Sequence, residues 1–177
     1  MKRSHFRYAA GFALITGVFG IAYYVSLEHT PTPKDGLITW KSFDDGVALA
    51  DQTHKKLLVD VYTDWCSWCK KMDSEVYTND NVVRMMNEHF VAVKLNAESD
   101  RSVTYKGTSF READLARRFG VTGYPTTIFL DERTDPITAI PGYSPAADFA
   151  SVLGYVGQDF YKSVSFQEYL SKSSPRR

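Results

Sequence analysis

Apolar residues between positions 37 and 157 form short continuous runs that alternate with segments of helical spacing. The runs are rich in valine, isoleucine and leucine, which is typical of strands buried inside a sheet, and they lie at 57–63, 90–98 and 126–132. A fourth run at 136–143 is expected to pair with the third across the turn at 133–136. Together with the intervening helices, this order predicts a three-layer α/β sandwich with a mixed central sheet.

Helices are predicted where apolar residues recur every three or four positions. The first follows Ser42, which is placed to cap it with Asp45 three residues on. The predicted helices lie at 42–56, from the cysteine pair to 77, at 79–90, at 111–121 and at 146–156. Met72, Met85 and Met86 fall at helical spacing on apolar faces, so they are interpreted as core residues and not as copper ligands.

The chain begins with a basic tail at 1–7, which is followed by an uncharged, mostly apolar segment at 8–27. At about 1.5 Å per residue, a helix of this length crosses a hydrocarbon core of roughly 30 Å. Positive charge on the leading side predicts a cytoplasmic tail, a single-pass anchor in the inner (cytoplasmic) membrane, and a domain in the periplasm or outside the cell. The alternative is a signal peptide cleaved after Ala22, which would release the domain into the periplasm.

The remaining chain is divided by composition. A linker with two prolines is predicted at 28–36, a folded domain at 37–162 and a C-terminal extension at 163–177. With 44% apolar residues in a chain of 177, one domain with a substantial core is expected. The formal net charge is zero and the basic residues are dispersed after the N-terminal tail, so nucleic acid is not an expected partner.

Both cysteines, Cys66 and Cys69, stand in the segment TDWCSWCKKM at 63–72. A zinc site needs about four ligands, and the second pair of ligands is missing. No histidine follows Cys69, so the covalent haem motif is absent as well. A purely structural disulfide in so small a loop would constrain little of the unfolded chain. The interpretation that remains is a reversible redox couple.

The position of the pair defines its expected chemistry. A helix N-terminus stabilises a thiolate through its backbone N–H groups and its dipole, so Cys66 is expected to have a lowered pKa and to act as the nucleophile. Cys69, one turn later, is expected to attack the mixed disulfide formed at Cys66 and release the reduced product. Trp65 and Trp68 precede the two sulfurs and are expected to form a substrate contact surface.

The segment LLVDVYTDWCSWCKKM resembles the strand and active-site helix of the thioredoxin superfamily. VAVKLNAE, VTGYPTTIFLD and the pair PGY and FASVL resemble later parts of the same fold, so that the resemblance covers roughly 38–157. It implies a thioredoxin-like domain with a buried acid at Asp60 that moves protons to and from Cys69. It also implies that Lys94 neighbours this acid, although a lysine at a strand end is also compatible with simple solvation.

The same resemblance implies a cis-proline at Pro125, facing the cysteines. A cis peptide bond there leaves the neighbouring backbone free to pair with a substrate chain. Tyr124 and Thr126 are therefore expected to bind substrate together with Pro125.

Within the superfamily, the chain is most similar to exported, membrane-anchored thioredoxin-related proteins and to envelope thiol:disulfide reductase-like domains. WCxWCKKM, EVYTNDNVV and an extra segment at 98–109 carry this similarity, whereas Ser67 and Trp68 replace the glycine and proline of ordinary thioredoxins. The resemblance implies a protein-disulfide reductase with protein disulfides and dithiols as substrates, a transmembrane thiol electron donor, and neither a metal nor a dissociable cofactor. The alternative is a binding module on this fold, either a copper chaperone or a redox-regulated holdase.

Overall fold

The computed structural model describes residues 37–173, in which strands and helices alternate. The strands are β1 (Lys56–Tyr62), β2 (Phe90–Asn96), β3 (Ser102–Tyr105), β4 (Thr108–Arg111), β5 (Thr126–Leu130) and β6 (Pro136–Pro141). The helices are α1 (Phe43–Thr53), α2 (Ser67–Glu75), α3 (Asp80–His89), α4 (Glu112–Arg118), α5 (Ala146–Gly157) and α6 (Phe166–Ser173), with a 3-10 turn at Phe160–Lys162. The predicted anchor at 8–27 and linker at 28–36 lie outside the described residues. Among residues 37–173, no helix combines the length and apolar character needed to cross a membrane.

Four strands form the central sheet in the order β2-β1-β5-β6. β1 runs parallel to β2 and antiparallel to β5, and β5 runs antiparallel to β6. The sheet is therefore mixed, and the predicted pairing of its last two strands is confirmed. The first helix begins as predicted, because the side chain of Ser42 accepts a hydrogen bond from the backbone N–H of Asp45.

Helices cover both faces of the sheet. Successive strand residues point to opposite faces, so apolar strand residues form a separate core with the helices on each face. Val59 of β1 packs with Leu115 of α4 in one core, whereas Leu58 belongs to the other core, on the side of α2, α3 and α5. Asp60 follows Leu58 by two positions and lies on this second face, where the register of β2 places Lys94 beside it. The predicted three-layer sandwich is confirmed.

The extra segment at 98–109, to which sequence analysis assigned no structure, contains most of a β-hairpin. β3 and β4 are joined by Lys106 and Gly107, whose φ angles of 50° and 75° suit a two-residue hairpin turn. At its base, Arg101 donates a hydrogen bond of 2.8 Å to the fully buried carboxylate of Glu112. In VTYKGTSF, a lysine and a glycine lie between two short segments that mix polar and apolar residues, and this was the available signal for the turn.

Both edges of the central sheet are restricted. At β2, the backbone N–H of Lys41 donates to Ala92, and its carbonyl accepts from Lys94, so that part of this edge is covered. At the opposite edge, β6 begins and ends with Pro136 and Pro141, which have no N–H to donate. Part of the β2 edge is therefore paired, and both ends of the β6 edge lack an N–H donor.

Residues beyond 162, the predicted end of the domain, pack against α5. The hydroxyl of Tyr155 donates a hydrogen bond of 2.7 Å to the carbonyl of Val164, and the ring centroids of Tyr155 and Phe166 are 5.1 Å apart. The helix α6, within the predicted C-terminal extension, is thus held against the domain.

Candidate active site

Cys66 and Cys69 are joined by a disulfide at the N-terminus of α2. Cys66 is the N-cap residue, and its sulfur accepts a hydrogen bond of 3.0 Å from the backbone N–H of Cys69. The same contact would stabilise a thiolate at Cys66 once the pair is reduced. Only 4% of Cys66 and 3% of Cys69 is exposed, so the surrounding side chains decide what reaches the sulfur atoms.

The loop before β5 contains the predicted cis peptide bond, between Tyr124 and Pro125. It is held from two directions. The hydroxyl of Thr126 donates to the carbonyl of Gly123 at 2.8 Å, and the N–H of Gly142 donates to the carbonyl of Pro125 at 2.7 Å. The second bond joins this loop to the turn that follows β6.

Trp65 connects the cysteine segment to the cis-proline loop. Its ring meets that of Tyr124 edge-on, with centroids 6.0 Å apart. Its indole N–H donates to the carboxylate of Glu98 at 2.9 Å, yet 66% of the residue remains exposed. Two predicted substrate-binding residues, Trp65 directly before Cys66 and Tyr124 directly before Pro125, are therefore in contact.

Trp68, between the two cysteines, is held by groups that sequence analysis missed. Its ring centroid lies 5.5 Å from that of Tyr143, and the Lys71 ammonium lies 5.7 Å and 5.6 Å from these two rings. The hydroxyl of Tyr143 donates to Glu75 at 2.8 Å, and Glu75 is ion-paired with Lys71 at 3.3 Å. Spacings of three and four along α2 were the signal for Lys71 and Glu75, since such residues share a helix face.

A buried ion pair lies on the same side of the sheet as α2. The ammonium of Lys94 donates to Asp60 at 2.5 Å and to Asp73 at 2.6 Å. Asp60 is 1% exposed, and Lys94 is ion-paired on β2 rather than simply solvated. Asp73, four residues after Cys69 on α2, was not predicted; its spacing from Cys69 along the helix was the only signal.

Burial and charge act in opposite directions on this network. Burial raises the pKa of Asp60 above its ordinary value of 3.8, and Lys94 only partly offsets this effect. For Lys94, burial alone would lower the pKa, but Asp60 and Asp73 outweigh it and the pKa is raised. Burial, followed by the nearby charge of Asp60, also raises the pKa of Tyr77 well above its ordinary value. Asp60, whose pKa is raised by burial, is thus directly paired across two adjacent strands with Lys94, whose charge partly lowers that pKa.

Three aromatic rings surround the Lys94 ammonium. The ring centroids of Trp40, Tyr62 and Tyr77 lie 4.6, 5.2 and 5.4 Å from its nitrogen. Ring faces attract a cation, so this cage favours charged Lys94 at a position largely removed from water. The sequence contains no local signal for this cage.

Met72, Met85 and Met86 are core residues, as predicted. Met72 and Met86 are each 1% exposed, and Met85 packs partly buried against the same core. In the described part of the chain, no group of three or more His, Cys, Asp and Glu side chains is arranged to hold a metal ion.

Residues 43–157, from α1 to the end of α5, match the family model of the thioredoxin-like domain. The match includes the cysteine pair, Asp60 and the cis-proline loop.

Two relatives illustrate the sequence similarity. The thiol:disulfide interchange protein DsbD of Yersinia pestis (strain Pestoides F) is 31% identical over 103 residues, which cover 57% of this chain and 16% of that protein. Protein disulfide-isomerase of Gallus gallus is 34% identical over 96 residues, which cover 54% of this chain and 16% of that protein. The chain thus matches only a minor part of the length of these relatives.

Solved structures show the same architecture. A thioredoxin from Thermus thermophilus is 25% identical, with a TM-score of 0.56 over 67% of this chain and 86% of that one. A thioredoxin-fold protein from Helicobacter pylori is also 25% identical, with a TM-score of 0.54 over 68% of this chain and 80% of that one.

Proposed function

Because this chain belongs to the thioredoxin-like domain family, we propose that it is a membrane-anchored thiol–disulfide oxidoreductase that reduces protein disulfides in the bacterial envelope. The observation that carries the proposal is the Cys66–Cys69 disulfide at the start of α2, on the side of the sheet that holds buried Asp60. Similarity to a protein named as a thiol:disulfide interchange protein supports the same chemistry.

The reaction begins with the reduced pair. The Cys66 thiolate attacks one sulfur of the client disulfide, which forms a bond between Cys66 and the client and releases the other client sulfur as a thiolate. Cys69 loses its proton and attacks the sulfur of Cys66, which releases the second client thiolate. Two electrons have then passed from the pair to the client, and the Cys66–Cys69 disulfide remains.

Asp60 is the group best suited to accept the proton of Cys69. Its pKa is raised by burial, so it takes up a proton more readily than an ordinary aspartate. Lys94 holds the ionised form in place between turnovers through the bond of 2.5 Å. Lys94 itself acts through Asp60 and is a positioning residue.

The charges around the pair favour the reducing direction. Ser67 and Trp68 place no positive charge between the cysteines, and α2 carries Asp73 four residues after Cys69. Lys71 follows on the same helix, but its charge is paired with Glu75. The contact that the Cys66 sulfur makes is with the backbone N–H of Cys69 at the helix terminus, which stabilises a thiolate modestly. The reduced pair therefore gives up its electrons more easily than that of a strong oxidant.

The N-terminal sequence supports the location. Residues 8–27 are uncharged and follow a basic tail, a pattern that favours anchoring with the domain outside the cytoplasm. A reductase in an oxidising compartment needs electrons from elsewhere, so its partners are protein disulfides on one side and a transmembrane thiol donor on the other.

The proposal is tested by comparing two cysteine variants of the full chain. Cys66→Ser should abolish reduction of insulin by the purified protein with dithiothreitol as donor. Cys69→Ser should accumulate client proteins as mixed disulfides in cells, because the resolving thiol is missing. In the same cells, thiol trapping of the unaltered protein should find the pair mostly reduced.

Three results would contradict parts of this assignment. Mixed disulfides with Cys66→Ser but none with Cys69→Ser would mean that the two roles are reversed. A pair found mostly oxidised in cells would indicate an oxidant or isomerase. Tight copper binding without insulin reduction would indicate a binding module instead of an enzyme.

A further inference from the structure

We propose that two aromatic pairs, Trp65–Tyr124 and Trp68–Tyr143, form a clamp for an extended client segment with large apolar side chains on both sides of its cysteine. This inference rests on the proposed function and specifies its substrate class. We call these four residues the aromatic clamp.

Exposure is the first observation. The large apolar side chains exposed in residues 37–173 are Leu37, Trp65, Trp68 and Phe160. Two of these four lie on either side of Cys66 in the sequence. Keeping two indoles in water is unfavourable, and exposed apolar groups that cluster at one place mark a contact surface.

Fixed orientation is the second observation. Trp65 is held by the hydrogen bond from its indole N–H to Glu98 and by the edge of Tyr124. On the other side, Tyr143 is fixed by its hydrogen bond to Glu75 and faces Trp68 at 5.5 Å. Rings that are already ordered lose little conformational freedom when a partner binds.

Lys71 strengthens the second pair. Its ammonium lies within 5.7 Å of both ring centroids, where cation–π attraction favours it, and its charge is paired with Glu75. The Trp68 side therefore presents aromatic surface with a balanced charge, which suits an apolar side chain better than a charged one.

The two pairs belong to one surface. Tyr124 precedes the cis-proline and Tyr143 follows β6, and the Gly142 N–H to Pro125 carbonyl bond of 2.7 Å joins these two segments. Each loop thus contributes one ring opposite a tryptophan of the cysteine segment. Because Trp65 and Trp68 flank Cys66 in the sequence, the clamp would place one aromatic pair on each side of the client cysteine.

The burial of the two cysteine sulfurs favours an extended client over a folded one. Cys66 is 4% exposed, whereas Trp65 and Trp68 are 66% and 54% exposed. A cysteine on a flat folded surface meets the indoles before it approaches the sulfur of Cys66. A cysteine on an extended chain can pass between them while its neighbours lie on the rings.

The experiment measures selectivity with short unstructured peptides. Reduced full-length protein reacts with disulfide-bonded peptides whose cysteine is flanked by phenylalanine and leucine or by two serines, and each rate is divided by that for hydroxyethyl disulfide. The unaltered protein should prefer the apolar peptide by about tenfold or more, equivalent to ~1.4 kcal/mol in the transition state. Trp68→Ala should remove most of this preference, and Trp68→Phe should restore part of it.

Two further variants complete the design. Tyr143→Leu removes the opposing ring from a different loop and should also reduce the preference, so the test survives if Trp68→Ala does not fold. Phe160→Ala removes an exposed aromatic of the 3-10 turn and should leave the preference unchanged.

The outcomes separate this inference from the function on which it rests. Equal preference in the unaltered protein, Trp68→Ala and Tyr143→Leu would overturn the clamp. Faster reaction with a folded disulfide protein than with the apolar peptide would overturn the extended partner. Failure to react with any disulfide, including hydroxyethyl disulfide, would refute the proposed function itself.

Discussion

The ammonium of Lys94 lies 2.5 Å from the carboxylate of Asp60, and the register of two parallel strands places these residues side by side. Because Asp60 is buried, its ionised form depends on the charge of Lys94 more strongly than the ionised form of a surface carboxylate depends on a neighbouring cation. Any change at Lys94 should therefore be felt in the protonation of Asp60.

Lys94→Met should raise the pKa of Asp60 further. The variant removes both the charge and the hydrogen bond that oppose the effect of burial, while Asp73 remains as a like charge. Following the carboxyl carbon of Asp60 by NMR across a pH titration measures the change. The control is Lys172→Met, which breaks the exposed ion pair with Glu168 of α6. It should leave the titration midpoint of Asp60 unchanged. An unchanged Asp60 midpoint in Lys94→Met would show that the ion pair has no influence.

Asp60→Asn should slow the release of client from the mixed disulfide by about 10²-fold near neutral pH, since Cys69 loses its proton acceptor. Attack by Cys66 should change much less. Acid quenching of a single turnover, followed by mass analysis, separates the two steps. The exposed variant Asp148→Asn should behave like the unaltered protein, and equal release rates in both variants would count against a role for Asp60.

Asp60→Asn should also change how the free energy of unfolding depends on pH. The pKa of Asp60 is raised above 3.8 in the folded protein, so its stabilising contribution is complete below about pH 3.8 and is lost as pH rises through the folded pKa. Asparagine does not titrate. The free energy of unfolding of Asp60→Asn, relative to the unaltered protein, should therefore increase over this window and then become constant. Urea unfolding at a series of pH values measures it, and a difference that falls with pH would contradict the sign.

The thiol of Cys66 should have a moderately lowered pKa. The N–H of Cys69 points to its sulfur at 3.0 Å, and a partly buried helix terminus contributes up to about 2 kcal/mol, or about 1.5 pH units. Thiolate absorbance of reduced Cys69→Ser, in which only Cys66 titrates, should show a midpoint lowered by about that amount. A midpoint lower than a free thiol by about 3 pH units or more would favour an oxidant over a reductase.

The full chain should stay in the membrane fraction after a carbonate wash, because residues 8–27 are long enough to span the bilayer. Val18→Arg places a charge in the middle of this segment, at a cost of about 2.5–3.5 kcal/mol, and should weaken retention. Recovery of a soluble form that begins near Tyr23 would establish the cleaved signal peptide instead.

The elements that were predictable from sequence are those set by local pattern. The valine-rich run of β1 identifies a buried strand, and the six-residue interval from Asp60 to Cys66 connects that strand to the start of a helix. The cap at Ser42 also depends on neighbours in the chain, whereas the cis-proline at Pro125 was implied by the family resemblance.

The cage around Lys94 was not predictable, because its parts come from different elements. Trp40 precedes α1, Tyr62 ends β1 and Tyr77 follows α2, and only the packing of these segments against the sheet brings their rings to one ammonium. Tyr143 was likewise identified as part of a strand end and not as the partner of Trp68. Such contacts depend on tertiary packing, which residue spacing does not encode.

The restricted edges of the sheet affect how readily the domain would aggregate with unfolded chains. An extended chain can add to an open sheet edge through its backbone, which leads to aggregation. Here Lys41 occupies part of the β2 edge, and at β6 only Ile137 to Ile140, between the two prolines, have N–H groups. We expect a domain with these edges to resist co-aggregation with extended chains, and we expect an unfolded polypeptide to dock at the cysteine end of the sheet instead.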